Sequence, residues 1–171
     1  LRNLEDHAAR EVAVLAHEVM KLREEMFVSQ RTRADVAEDA DAAILFGGAP
    51  ERYPTLKIVL GESGIGWLPY ALERLDYEWE DQFRDIIPRP PTEYWRRQFY
   101  ATFQIDQTGL KNLDAIGADN VMWGSDFPHP DGTWPDSRAI LEPQLVLISA
   151  GDRRKILYEN AAKLYRFPIT G

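Results

Sequence analysis

Asn120-Val121-Met122-Trp123-Gly124-Ser125-Asp126-Phe127-Pro128-His129-Pro130 is the stretch that decides how this chain folds. Val121-Met122-Trp123 is a short apolar run closed by Gly124, which suits a buried strand. The polar residues and prolines that follow form a stiff loop. Two further runs of this kind precede it. Lys57-Ile58-Val59-Leu60 lies between Pro54 and Gly61, and Phe99 to Ile105 is rich in aromatic and β-branched residues. Helical patterns fill the gaps. A helix is expected over 68–83, with Leu68, Leu72, Leu75 and Trp79 on one face. Pro88, Pro90 and Pro91 break the chain, and a shorter helix follows from Thr92 to Gln98. Another runs over 107–117 and stops at Gly117. Two closing helices cover 137–149 and 152–165, the second opened by Asp152 at a cap position. Strands alternating with helices indicate a parallel α/β fold. Three strands are too few for a closed barrel. They suit a piece of one, or a small open sheet.

Upstream, residues 1–26 carry Leu4, Ala8, Val12, Leu15, Val19, Leu22 and Met26 at spacings of three and four. This is one face of an amphipathic helix, suited to packing on its own domain or on a partner helix. Residues 28–33 are polar and form a break. A second helix opens near Asp35 and runs to Phe46, where Gly47 and Gly48 stop it. The chain therefore divides into an N-terminal helix with its break, 1–33, and an α/β region, 34–171.

Composition narrows the function. The chain has 171 residues, 44% of them hydrophobic, with seven Phe, seven Tyr and five Trp, enough for a core. The formal net charge is -8, a poor match to nucleic acid. There is no Cys, so disulfides, thiolate metal sites and a Cys nucleophile are excluded. No apolar stretch reaches the roughly 20 residues that cross a bilayer, and residues 1–10 do not resemble a secretory signal. The expectation is a cytoplasmic protein that acts on a small molecule, with no nucleic-acid or membrane partner.

In parallel α/β folds the working groups lie at the C-terminal ends of the strands. After the first strand comes Glu62, after the second Thr102, Gln104 and Asp106, and after the third Asp126 and His129. Carboxylates and an imidazole on one face are what metal-assisted or acid–base chemistry needs. Glu62 reads equally well as a carboxylate capping the next helix. Asp126 has the stronger case, against the alternative of a turn-forming Asp that bonds its own backbone. His129, between two prolines, reads locally as a solvated loop residue. Trp67 and Trp134 sit where they could line a pocket, or could simply be core. His7 and His17 read as surface residues. There is no His-x-His, no His-Glu-x-x-His and no Gly-x-Ser-x-Gly elbow. Gly61-x-x-Gly64-x-Gly66 is a weak signal for a phosphate loop.

Three stretches together resemble a known family. Pro50 to Gly64 followed by Gly66-Trp67-Leu68-Pro69 is similar to the sixth-strand region of amidohydrolase-related proteins, the group that includes aminocarboxymuconate-semialdehyde decarboxylase-like enzymes. Ile116 to His129 resembles the eighth-strand motif, and Glu159-Asn160-Ala161-Ala162-Lys163-Leu164-Tyr165 the closing helix. The match covers roughly residues 44–167. The resemblance implies a metal-dependent (β/α)₈ TIM barrel, often with zinc. It implies that Asp126 binds the metal and handles the proton of metal-bound water, and that Trp67 and His129 sit near the substrate mouth. Glu62 stands where many members carry a His, so a carboxylate there would be a base, a substrate contact or a neighbour of the metal ligands. The histidines that members carry after strands one and five have no counterpart here. The chain thus reads as the C-terminal part of a barrel, about strands six to eight, with Asp126 as its one convincing ligand and weak zinc binding on its own.

The resemblance implies a metal-dependent hydrolase in which Asp126 and Glu62 are catalytic, with a decarboxylase (carboxy-lyase) on the same scaffold as the alternative. The contrasting class is a non-catalytic α/β module associating through the 1–26 helix. An open sheet edge would also favour self-association.

Overall fold

The structure is a computed structural model that describes residues 42–168. The expected 1–26 helix, and association through it, lie outside the described residues. Of the helix expected from Asp35, residues 42–46 are helical and Gly47-Gly48 form the turn that ends it. A short helix not foreseen from the sequence, α1, follows at Ala49–Arg52, with Pro50 in its first turn.

Three strands form one parallel sheet in the order β1-β2-β3. They are β1 (Ile58–Leu60), β2 (Phe99–Phe103) and β3 (Val121–Trp123). Leu60 lies opposite Ala101, and Ala101 opposite Val121. The central strand shows why. Phe99, Ala101 and Phe103 are fully buried, while Tyr100 and Thr102 are half-buried on the other face. This period of two gives β2 one face packed into the main core and one face that differs from it. The buried face meets Trp95, Ile65, Leu68, Ile116 and Ile156. Replacing Phe99 or Phe103 by Ala in such a core costs about 3–5 kcal/mol.

The crossover from β1 to β2 contains α2 (Leu68–Glu78) and α3 (Pro91–Gln98). α2 buries Leu68, Ala71, Leu72 and Leu75. Its expected last turn is present but widened, because Trp79–Phe83 adopts a π turn. The Trp79 indole donates to the Ile87 carbonyl at 2.8 Å. The crossover from β2 to β3 holds α4 (Gln107–Lys111) and α5 (Leu113–Ile116). A single helix was expected here. Asn112 leaves the helical conformation and its side chain donates to the Thr108 carbonyl at 2.8 Å, so side chain and backbone compete for one acceptor.

After β3 come α6 (Ser137–Gln144), α7 (Ala150–Arg154) and α8 (Asn160–Tyr165), the last two joined by a π turn at Lys155–Glu159. α6 is shorter than its pattern suggested, since Pro143 removes a backbone donor near its end. The helix expected over 152–165 is opened by Ser149, which caps α7, not by Asp152. Ser149 Oγ accepts from the Asp152 amide at 3.1 Å and donates to its carboxylate at 2.8 Å. Asp152, in the first turn, is an acidic residue favoured there by the helix dipole.

Three buried amide side chains tie the segments below the site. Gln98 donates to the Tyr53 and Leu56 carbonyls, Asn120 to those of Trp95 and Phe99, and Asn160 to those of Ala118 and Val121. Each links the backbone of separate segments through side-chain donors that are themselves satisfied in the core. They fix where the strands begin, and so where their far ends emerge. No helix among the described residues is long and apolar enough to cross a membrane.

Candidate metal centre

Glu62 is the second residue after β1 and has a left-handed backbone, with φ 55°. Such a conformation is costly for a residue with a Cβ. It is held by its own amide, which donates to the Thr102 hydroxyl at 2.8 Å across the β1–β2 gap. The loop beyond Glu62 is pinned from the segment that follows β2 as well. The Asp106 carboxylate accepts from the amides of Ile65, Gly66 and Gly109, each at 2.7 Å. Gly66 and Gly109 allow this close approach. A Cβ at Gly66 would lie 2.8 Å from Asp106 Oδ1, and one at Gly109 would lie 2.2 Å from Ile65 Cγ1. The weak phosphate-loop signal is therefore answered: the amides that could cradle an anion are filled by the chain's own Asp106. Asp106, though it follows a strand, is a brace for this loop.

Asp126, third after β3, is also left-handed, with φ 59°. Its side chain is only 2% exposed. The loop around it is closed by backbone bonds. Thr133 donates to Ser125 at 2.8 Å, His129 to Asp126 at 2.9 Å, and Gly132 to His129 at 3.0 Å. Gly132 lies so close that a Cβ there would meet the carbonyls of Ser125, Asp126 and His129 at 2.8, 2.9 and 3.0 Å. This role for Gly132 was not visible in the local pattern.

The loop turns His129 back onto Asp126. Its Nδ1 lies 2.7 Å from Asp126 Oδ1 and 3.7 Å from Glu62 Oε1. The imidazole is 53% exposed. The hydrogen bond to Asp126, then the charges of Asp126 and Glu62, hold its pKa above the ordinary 6.5. Glu62, Asp126 and His129 thus bring three ligand atoms within 4.8 Å of one another. Donors bound at about 2.0–2.2 Å to one ion stand about 3–3.6 Å apart. The two distances from Nδ1 bracket that spacing, and two carboxylates with one imidazole are a usual donor set for a divalent cation. The residues fit a metal.

Of the residues singled out in the sequence, Glu62, Asp126 and His129 meet. Trp67 packs against the core, and its indole donates to the Ser63 carbonyl at 3.1 Å, next to Glu62. It braces the loop that carries Glu62. Trp134 is 65% exposed and stands edge-on to Phe127, itself 64% exposed, at 5.9 Å between ring centroids. Thr102 was visible as a strand-end residue, but its contact with Glu62 depends on the register of β1 against β2. An open pocket of about 480 Å³ lies elsewhere, lined by Leu110, Leu113, Pro143 and Ile148 with Lys111 and Asp114. It shares no residue with the cluster.

Comparison with known proteins places the chain in a family. Gamma-resorcylate decarboxylase from Polaromonas sp. is 29% identical over 135 residues, which is 72% of this chain and 38% of that protein. The 2-amino-3-carboxymuconate-6-semialdehyde decarboxylase of Dictyostelium discoideum is 29% identical over 97 residues, 54% of this chain and 27% of that protein. The chain therefore spans well under half the length of these relatives. Among solved structures, an amidohydrolase from Mycobacterium avium subsp. paratuberculosis superimposes with a TM-score of 0.67 at 28% identity, covering 77% of this chain and 33% of that one. A dihydroxybenzoic acid decarboxylase from Polaromonas sp., solved with manganese and 2-nitroresorcinol, shares the fold with a TM-score of 0.64 at 24% identity, over 81% of this chain and 42% of that one. The family model described as amidohydrolase matches residues 26–167. By that match, with the parallel α/β sheet and its carboxylate–imidazole cluster, the chain belongs to the amidohydrolase family.

Proposed function

We propose that this chain contributes a divalent-metal site to a carboxy-lyase, with Glu62, Asp126 and His129 as the residues that hold the ion. The observation that carries the proposal is the convergence of their ligand atoms within 4.8 Å at the ends of β1 and β3. In this reading the three-stranded sheet is an arc of a (β/α)₈ barrel, with its site at the C-terminal ends of the strands. Both relatives are named as decarboxylases, which favours carbon–carbon cleavage over the hydrolysis the same scaffold supports.

When bound, the ion supplies Lewis acidity toward a substrate oxygen and stabilises negative charge as it develops. The chain's residues do the rest. Glu62, Asp126 and His129 would hold the ion, the first two from left-handed backbone positions. Phe127 and Trp134, in the same loop as Asp126 and His129, form an exposed apolar pair. A planar hydroxybenzoate, of the kind named for the relatives, suits such a pair. Loss of carbon dioxide leaves the electron pair of the broken bond on carbon, and that carbon must gain a proton. Two oxygen donors and one nitrogen donor suit zinc or manganese.

The test is metal binding and turnover. Titration of the purified chain with Mn²⁺ or Zn²⁺ should show weak binding at one site, as expected for a chain without the histidines after strands one and five, and Asp126→Asn should lose it. No binding on titration would refute the site. Conversion of 2,6-dihydroxybenzoate to resorcinol and carbon dioxide tests the chemistry separately.

A second reading follows from the 2.7 Å contact between Asp126 and His129. Asp126 then orients His129 through Nδ1, and the exposed face of the ring carries the proton to carbon. Replacing His129 by Gln separates the two. It weakens metal binding if His129 is a ligand, and leaves it intact if His129 is a proton carrier.

A further inference from the structure

We infer that Thr102 is a positioning residue for this centre: by accepting the Glu62 amide hydrogen across the β1–β2 gap, its hydroxyl holds Glu62 in the left-handed conformation that turns its carboxylate toward His129. The inference rests on the metal reading above.

Three observations support it. First, the sheet register ends β1 at Leu60, opposite Ala101, so Thr102 is the next residue of β2 and lies level with the turn out of β1. Second, the Glu62 amide meets a side-chain hydroxyl at 2.8 Å rather than a ladder carbonyl. A side-chain hydroxyl can accept from a residue that has already left strand geometry. Third, φ 55° is a conformation Glu does not adopt without restraint. Removing the acceptor would let the residue relax toward the extended region, and its carboxylate would swing away from His129 Nδ1, now 3.7 Å distant. Thr102 also pairs in register with Met122 of β3, so one residue of the central strand links the two strands that carry the site.

The experiment uses the full chain and two variants, Thr102→Val and Thr102→Ser. Val keeps the shape and loses the hydroxyl, and Ser keeps the hydroxyl. Amide hydrogen exchange at Glu62, followed by NMR without metal, reads the hydrogen bond directly. Protection should be present in the wild type and Thr102→Ser and lost in Thr102→Val. Titration with Mn²⁺, followed by its EPR signal, reads the consequence. Affinity should fall about tenfold in Thr102→Val, the usual lower range for losing a residue that orients a ligand, and stay near wild type in Thr102→Ser. In a Glu62→Gln background the Thr102→Val change should have no further effect, because Thr102 acts through Glu62. Three results would overturn the inference: a Glu62 amide unprotected in the wild type, unchanged Mn²⁺ affinity in Thr102→Val, or an undiminished tenfold loss in the Glu62→Gln background. If the wild type binds no Mn²⁺, the metal reading fails, and the positioning of Glu62 stands or falls on the exchange data alone.

Discussion

His129 Nδ1 stands 2.7 Å from Asp126 Oδ1, three residues earlier in the same loop, with Glu62 Oε1 3.7 Å away on the other side. An exposed imidazole is thus flanked by one carboxylate of its own loop and by that of Glu62, from the loop after β1. This arrangement governs most of what the centre should do.

His129 should titrate above 6.5 in the metal-free protein, because the hydrogen bond to Asp126 and the nearby negative charges favour the imidazolium. In Asp126→Asn the value should fall toward 6.5. The sign for stability follows. A group with a raised folded-state pKa stabilises the fold fully below its unfolded value, and that contribution fades as pH rises through the raised value. NMR titration of the imidazole protons checks this, and a wild-type value at or below 6.5 would contradict it.

Metal affinity should fall in acid. Binding through Nδ1 requires the neutral imidazole, so the proton that Asp126 helps retain competes with the ion. Mn²⁺ titrations at pH 8 and pH 5.5 should differ by at least about tenfold, since each pH unit below the imidazole pKa costs about a factor of ten. Equal affinity at both values would exclude His129 as a ligand.

Gly132→Ala should loosen the loop. Its Cβ would sit within 3.0 Å of three carbonyl oxygens, all backbone, so the loop must shift. The cost should be about 1–3 kcal/mol in denaturant unfolding. The His129 titration should move toward 6.5 in the same variant, since the shift separates it from Asp126.

Glu62→Gly should stabilise the fold while abolishing metal binding. The left-handed conformation costs a side-chain-bearing residue about 1–2 kcal/mol, and the extra freedom of unfolded Gly returns part of this. A net gain of roughly 0.5–1 kcal/mol is expected. A loss of stability would mean the Glu62 carboxylate itself holds the fold together.

Much of this was legible in the sequence, because it rests on local pattern. The aromatic and β-branched run from Phe99 marks β2, and the Gly and Pro residues mark the loop ends. Asp126 was legible for the same reason, as a polar residue just past a buried run. The break at Asn112 and the cap at Ser149 were missed. Each depends on one side chain competing for one backbone group, which periodicity does not register. The meeting of His129 with Glu62 was out of reach for another reason. It needs the register of β1 and β3 on a common central strand, and a turn tight enough to require Gly132. The role of Thr102 is hidden in the same way, since it exists only across strands.

The Asp106 carboxylate, seated on the amides of Ile65, Gly66 and Gly109, amounts to a built-in counter-ion. The loop leading from β1 into α2 thereby has its shape without borrowing an anion from solvent. Buffer phosphate or sulfate has no vacancy to enter there, so the loop's conformation should be indifferent to them. Cutting the Asp106 side chain back to Ala would turn the same amides into an open anion receptor, and formate or acetate added from outside would then be a substitute for the missing carboxylate.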